Sequence, residues 1–344
     1  MNTSTLSKII LFILAISLLG CTRTTSTSTP EASATPAITE TVTPTPLPSR
    51  VVFVFAPGDD PSLVGQVNTA LVGLSSQAGL TAEQRSDIQL SDLSSDIKVV
   101  AFASNPANLN DLVSAAGNIQ FIVISEQDIS PSANLTIIRL HPEYSLFIAG
   151  YIAEMISADW RAAGLIPSDI PQSDLLQQAF QNGGRYWCGI CREEHPPYAD
   201  FPLVAALPAA SDANAWKAAV DQLETNRIYT LVAWDLMDTP EVLQYISVQS
   251  VYTELGPFIH PILLGNQVPQ DVLRPSWALT LTPDVATPLQ AAWADVMAGT
   301  GGRTFHAGVK MIEINETLFG IGKQRLADET IQKLVLGLID PFNP

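Results

Sequence analysis

The chain has 344 residues, 47% of them apolar, which is enough to bury the cores of two domains and excludes a disordered protein. Its formal net charge is −17 and no Lys/Arg cluster offsets it, which argues against nucleic acid as a partner. Only 3 cysteines and 4 histidines are present, no second close cysteine pair stands beside Cys188 and Cys191, and no Gly-rich phosphate loop occurs.

Lys8 precedes an apolar run from Ile9 to Leu19 that ends in Gly20 and Cys21. A positive start, a short apolar stretch and small residues make a secretion signal. The run is shorter than the roughly 20 residues a membrane-spanning helix needs. Leu18-Leu19-Gly20-Cys21 resembles the lipobox of bacterial lipoproteins. The resemblance implies cleavage before Cys21, a lipid on its sulfur, and an extracytoplasmic chain held to the cell membrane by acyl chains such as palmitate. Residues 1–20 are then the signal peptide. Residues 21–50 are the lipidated cysteine and a disordered Thr/Ser/Pro-rich tether, because this segment has almost no large apolar side chains to bury.

From Val51 onward, strand and helix patterns alternate. Val51–Phe55 is a continuous apolar run, as in a strand buried on both faces. Leu63, Val64, Val67, Leu71 and Leu74 follow at helical spacing. Further strands are predicted at 98–103, 119–124, 135–140, 161–166, 203–207, 228–233, 259–264, 277–281 and 309–314. Helices are predicted at 108–116, 143–158, 174–181, 214–224, 241–250, 285–298 and 329–338. Such alternation means βαβ units and parallel sheets. The expected fold class is α/β, with two doubly wound parallel-sheet lobes joined by a hinge. The first lobe is expected at 51–140 and the second at 141–276. Residues 277–344 should hold a hinge crossing and C-terminal segments shared between the lobes.

Several stretches resemble the basic membrane protein family, lipoproteins that bind solutes for ABC transporters. They are His141-Pro142-Glu143-Tyr144-Ser145-Leu146-Phe147, Asn105-Pro106, Ile119-Gln120-Phe121, Trp277-Ala278-Leu279-Thr280-Leu281, Gly299-Thr300-Gly301-Gly302 and Gly320-Ile321-Gly322-Lys323. The resemblance implies the type I periplasmic-binding-protein fold, a small-molecule ligand, a permease partner and a monomer without cofactor or catalytic group. The family's aromatic stacking residue after the first strand is missing from Gly58-Asp59-Asp60-Pro61-Ser62. An amide, Asn266 or Gln267, stands where a carboxylate is common.

Ligands of open α/β sheets bind beyond the carboxyl ends of the strands. The candidate ligand residues are therefore Asp59, Asp60, Ser104, Asn105, Ser125 and Glu126 in the first lobe. In the second they are Trp234, Asp235, Asn266 and Gln267. Ionised Asp59 and Asp60 accept hydrogen bonds, which suits sugar hydroxyls or an ammonium group and disfavours phosphate. Each could instead cap the following helix. His141 and Tyr144 are expected at the crossing between lobes, where they either pack the hinge or touch the ligand.

Trp187-Cys188-Gly189-Ile190-Cys191 resembles the Trp-Cys-Gly-x-Cys of thioredoxin-like proteins. A pair of cysteines in an oxidising compartment points to a disulfide pinning a loop. The competing reading is an extracytoplasmic thiol oxidoreductase, which requires a thiolate stabilised at a helix N-terminus. A zinc site would need a fourth ligand beside Cys188, Cys191 and His195, for which Asp200 is one candidate. A sensor that hands its ligand-bound form to a signalling receptor is a third reading.

Overall fold

Apolar runs that alternate with amphipathic helices build two parallel sheets. In the computed structural model the described residues are 48–234, 240–249, 259–265 and 268–344. The signal, Cys21 and the tether as far as residue 47 lie outside them, whereas Arg50, expected in the tether, opens the first strand. The first sheet contains β1 (Arg50–Val54), β2 (Thr81–Arg85), β3 (Ile97–Phe102), β4 (Gln120–Ser125), β5 (Leu135–Arg139) and β11 (Thr304–His306). Their order is β2-β1-β3-β4-β5-β11, parallel throughout. Residues 51–54, 99–102 and 120–125 are buried on both faces, as an interior parallel strand requires. Alternate side chains serve opposite faces. Val51, Phe53 and Ile122 meet α1 (Pro61–Gln77) and α7 (Ala286–Met297), while Val52, Val100 and Val123 meet α2 (Leu109–Ala115).

The second sheet contains β6 (Ala162–Pro167), β7 (Leu203–Leu207), β8 (Thr230–Trp234), β9 (His260–Leu264), β10 (Leu279–Asp284) and β12 (Gly308–Ile312), in the order β7-β6-β8-β9-β10-β12. Only β12 runs antiparallel to its neighbour. One face packs on α3 (Pro142–Ile156), α4 (Ser173–Cys188) and α8 (Ile321–Val335). The other packs on α5 (Ala213–Glu224) and α6 (Pro240–Gln249). The chain passes between the sheets at three points: between β5 and α3, between β10 and α7, and between β11 and β12. The described residues form one compact unit. Among the described residues, no helix is long and apolar enough to cross a membrane.

The predicted helix at 174–181 continues to Cys188, through Asn182-Gly183-Gly184. The glycines serve helix contact. A Cβ on Gly183 would lie 1.9 Å from the Phe147 carbonyl oxygen, and one on Gly150 would lie 1.9 Å from that of Phe180. Small residues on both helices let α3 and α4 meet backbone to backbone.

Inside this contact sits Glu154, 1% exposed, with no hydrogen-bond partner on either carboxyl oxygen among the described residues. Burial pushes its pKa well above the ordinary value, and the Glu193 charge adds to the shift. The nearby Ala162 amide opposes it only in part. A raised carboxyl pKa favours folding while the group stays protonated. Stability should therefore fall as pH climbs from the unfolded value near 4.3 toward the raised one. Urea midpoints of Glu154→Gln, which cannot ionise, should lose this decline. A wild-type slope retained in the variant would contradict it.

Candidate functional site

The carboxyl ends of β1, β3, β4 and β5 face the start of α4 across a cleft of about 950 Å³. All six first-lobe candidates line it: Asp59 and Asp60 after β1, Ser104 and Asn105 after β3, and Ser125 and Glu126 at the end of β4. The open turns after these strands explain the placement, since each strand ends its buried run where the chain must reverse.

Asp59 and Asp60 each commit one oxygen to local structure. Asp59 Oδ2 accepts from the Ala56 amide at 2.6 Å, and Asp60 Oδ1 accepts from the Ser62 amide at 2.8 Å, capping α1. Capping and cleft lining therefore coexist. Ser125 and Asn105 are tied together through Gln127, whose amide donates to Ser125 Oγ at 2.9 Å. Asn105 Nδ2 donates to Gln127 Oε1 at 2.8 Å. Partial loss of solvent in the cleft raises the Glu126 pKa. The Glu143 charge raises it further, and Arg139 opposes both.

Of the second-lobe candidates, Trp234 is half-buried and packs on that lobe's core, so it does not line the cleft. Asp235, Asn266 and Gln267 lie outside the described residues. The second-lobe wall instead includes Pro171, Gln172 and Leu176. Gln172 sits in the left-handed region, at φ 59°, immediately before α4. Phe342 completes this wall. Gln178 Nε2 donates to the Phe342 carbonyl at 3.3 Å and Asn182 Nδ2 to that of Pro341 at 3.0 Å, fastening the C-terminal tail along α4.

Sequence reasoning also passed over Arg139, the last residue of β5, which the strand-end rule could have found. Its Nη1 is shut from solvent and has no partner among the described residues.

Two histidines meet at the hinge. His141 stands at the first crossing, immediately before α3, and His306 ends β11 at the third. His141 Nε2 lies 2.7 Å from His306 Nδ1, and His141 Nδ1 lies 2.7 Å from Glu143 Oε1. The His141 ring stacks on Tyr144 with centroids 4.2 Å apart. Glu143 itself lines the cleft.

A disulfide joins Cys188 to Cys191. Cys188 is the last residue of α4, at the negative end of the helix dipole. That end disfavours a thiolate, the opposite of what thiol exchange requires. Among the described residues no group of three or more His, Cys, Asp or Glu could hold a metal ion.

No protein-family model and no curated protein matches the sequence. Solved structures do match. An ABC transporter solute-binding protein from Conexibacter woesei shows a TM-score of 0.56 at 13% identity, over 86% of this chain and 100% of that one. Another, from Aeropyrum pernix K1, shows 0.55 at 12%, over 85% and 93%. A transcriptional activator of the comK gene from Bacillus halodurans also shows 0.55 at 12%, over 85% and 100%. At such identities the likeness shows the fold: two parallel α/β lobes of the type I periplasmic-binding-protein kind.

Proposed function

We propose that this chain is an extracytoplasmic solute-binding receptor, anchored in the cell membrane through a lipid on Cys21, which delivers its solute to an ABC transporter permease. It works as a monomer, and closure of the two lobes around the solute gives the permease a surface to recognise. The observation that carries the proposal is the cleft where residues of both lobes face each other at the strand ends of a solute-binding fold. The resemblance to basic membrane proteins, and membership in that family, belong to the same reading.

The cleft wall carries Asp59, Asp60, Glu126, Asp128 and Glu143 against Arg139. Such a wall favours a small polar organic solute rich in hydroxyl or amino donors, sugar-like or nucleoside-like, and disfavours phosphate.

The test is thermal unfolding of the full chain in mild detergent with panels of sugars, nucleosides and small amines. A solute at a hundred times its Kd stabilises the folded state by about 2.7 kcal/mol. That should raise the melting temperature by roughly 5 °C or more. If no compound raises it, the proposal fails.

A further inference from the structure

We propose that His141 and His306 are positioning residues of the cleft: as a hydrogen-bonded pair they fasten two of the three inter-lobe crossings together and aim Glu143 at the solute, and a second proton on the pair releases both. The role in solute capture rests on the receptor reading above, whereas the pair itself is a feature of the hinge.

The pair has room for one shared proton. An N···N contact of 2.7 Å holds one proton. With both rings neutral, His141 donates from Nδ1 to Glu143 and accepts at Nε2 from His306 Nδ1–H. With one proton added, His141 donates from both nitrogens and His306 accepts at Nδ1. A second added proton leaves two N–H groups pointing at each other and two cations with ring centroids 5.0 Å apart. No tautomer rescues that state.

The surroundings order the two steps. On α3, Glu143 stabilises one positive charge on His141, and Tyr144 stacks on its ring. On β5, Arg139 is the register partner of His306 and adds a fixed positive charge. Glu126, just after β4, feels the charge of Glu143, and Tyr144 feels those of Glu143 and of Asp340 in the tail. A proton on His306 is therefore the one the surroundings oppose. Burial holds His306 below the ordinary histidine value, with the His141 and Arg139 charges lowering it further.

A depressed histidine pKa contributes stability that is complete above the unfolded value of about 6.5 and is lost as pH falls below it. Lobe closure turns on the torsions of the crossing segments. A pair that binds two of them, with Glu143 attached, therefore couples acid to the cleft.

The experiment is ¹⁵N-histidine NMR of the full chain in detergent, from pH 8 to 4.5 and without solute. With only 4 histidines the spectrum assigns by single substitutions. The two rings should titrate as a coupled pair, and His306→Asn should move the His141 midpoint by about one pH unit. The midpoints of His195 and His260 should stay in place. Independent midpoints for His141 and His306 would overturn the proposal whether or not any solute binds.

A second arm uses ribose, galactose, glucosamine and adenosine, and follows whichever stabilises the chain. Its Kd should rise about tenfold between pH 7.5 and 5 in the wild type. In His306→Asn, which keeps a non-titrating amide at that place, it should rise less than about twofold. His306→Ala should bind weakly at every pH. Equal pH profiles in wild type and His306→Asn would also overturn the proposal, while leaving the receptor reading intact.

Discussion

Gly183→Val should leave the chain unfolded, or lower its melting temperature by at least about 6 °C. Two effects oppose each other at this position. A glycine inside α4 costs up to about 1 kcal/mol of helix propensity, so a larger residue would gain something locally. The new Cβ, however, would stand 1.9 Å from the Phe147 carbonyl oxygen, and the Phe147 backbone belongs to a helix that cannot yield alone. Separating α3 from α4 would unpack Phe180 from Gly164 and expose the Glu154 carboxyl that the contact encloses. Overpacking of this kind costs about 3 kcal/mol or more, which outweighs the propensity gain. At roughly 2 °C or more per kcal/mol, the shift is readily measured. Gly73→Ala is the control. Nothing stands within 4 Å of its Cβ position on α1, so the same kind of change should raise stability by about 0.5–1 kcal/mol. Similar melting temperatures for the two variants would refute the backbone contact.

Arg161→Ala should cost about 3–5 kcal/mol, with Arg161→Lys in between. Arg161 is 2% exposed and stands immediately before β6. Its Nε pairs with Asp159 at 2.9 Å, and its Nη1 donates to the Asn226 carbonyl at 2.8 Å and that of Pro197 at 3.0 Å. Its Nη2 donates to the His195 carbonyl. One fork thus fixes the loop after the disulfide, the turn before β8 and the left-handed Asp159, at φ 53°. Removing it leaves buried acceptors without donors. The Cys188–Cys191 link closes a ring so short that its effect on chain entropy is only roughly 2 kcal/mol. Denaturant midpoints should therefore fall further for Arg161→Ala than for Cys188→Ser with Cys191→Ser. The reverse order would show that the disulfide, and not the guanidinium, holds this loop.

The sequence carries a good part of this architecture because buried parallel strands announce themselves. Val51–Val54 and Phe121–Ile124 have no polar residue to confuse their reading. The strand ends follow from them, which is why Asp59, Ser104, Asn105 and Glu126 could be named from pattern alone and are found together at one cleft. Other parts leave no local signal. Thr81-Ala82-Glu83-Gln84-Arg85 reads as polar loop, yet it is the edge strand β2, joined to β1 by backbone pairing and by the Arg50–Glu83 ion pair. The three residues of β11 are too few to show a period. The helix predicted at 174–181 stops short of Gly183-Gly184 because propensity is local, whereas the use of these glycines lies against the helix opposite. Phe342 reaches the cleft only through side chains of α4 that hold its tail, a relation no window of sequence contains. Trp234 meets the strand-end rule, but an indole gains more from the second-lobe core than from an open wall.

Hydrogen exchange on the full chain, with and without the solute that stabilises it best, tests the two-lobed cleft most directly. The account predicts slowed exchange at Ser104–Asn105 and Ser125–Asp128 on one wall together with Gln172–Leu176 on the other, at one solute per chain. Protection confined to a single lobe, or placed away from these segments, would contradict it.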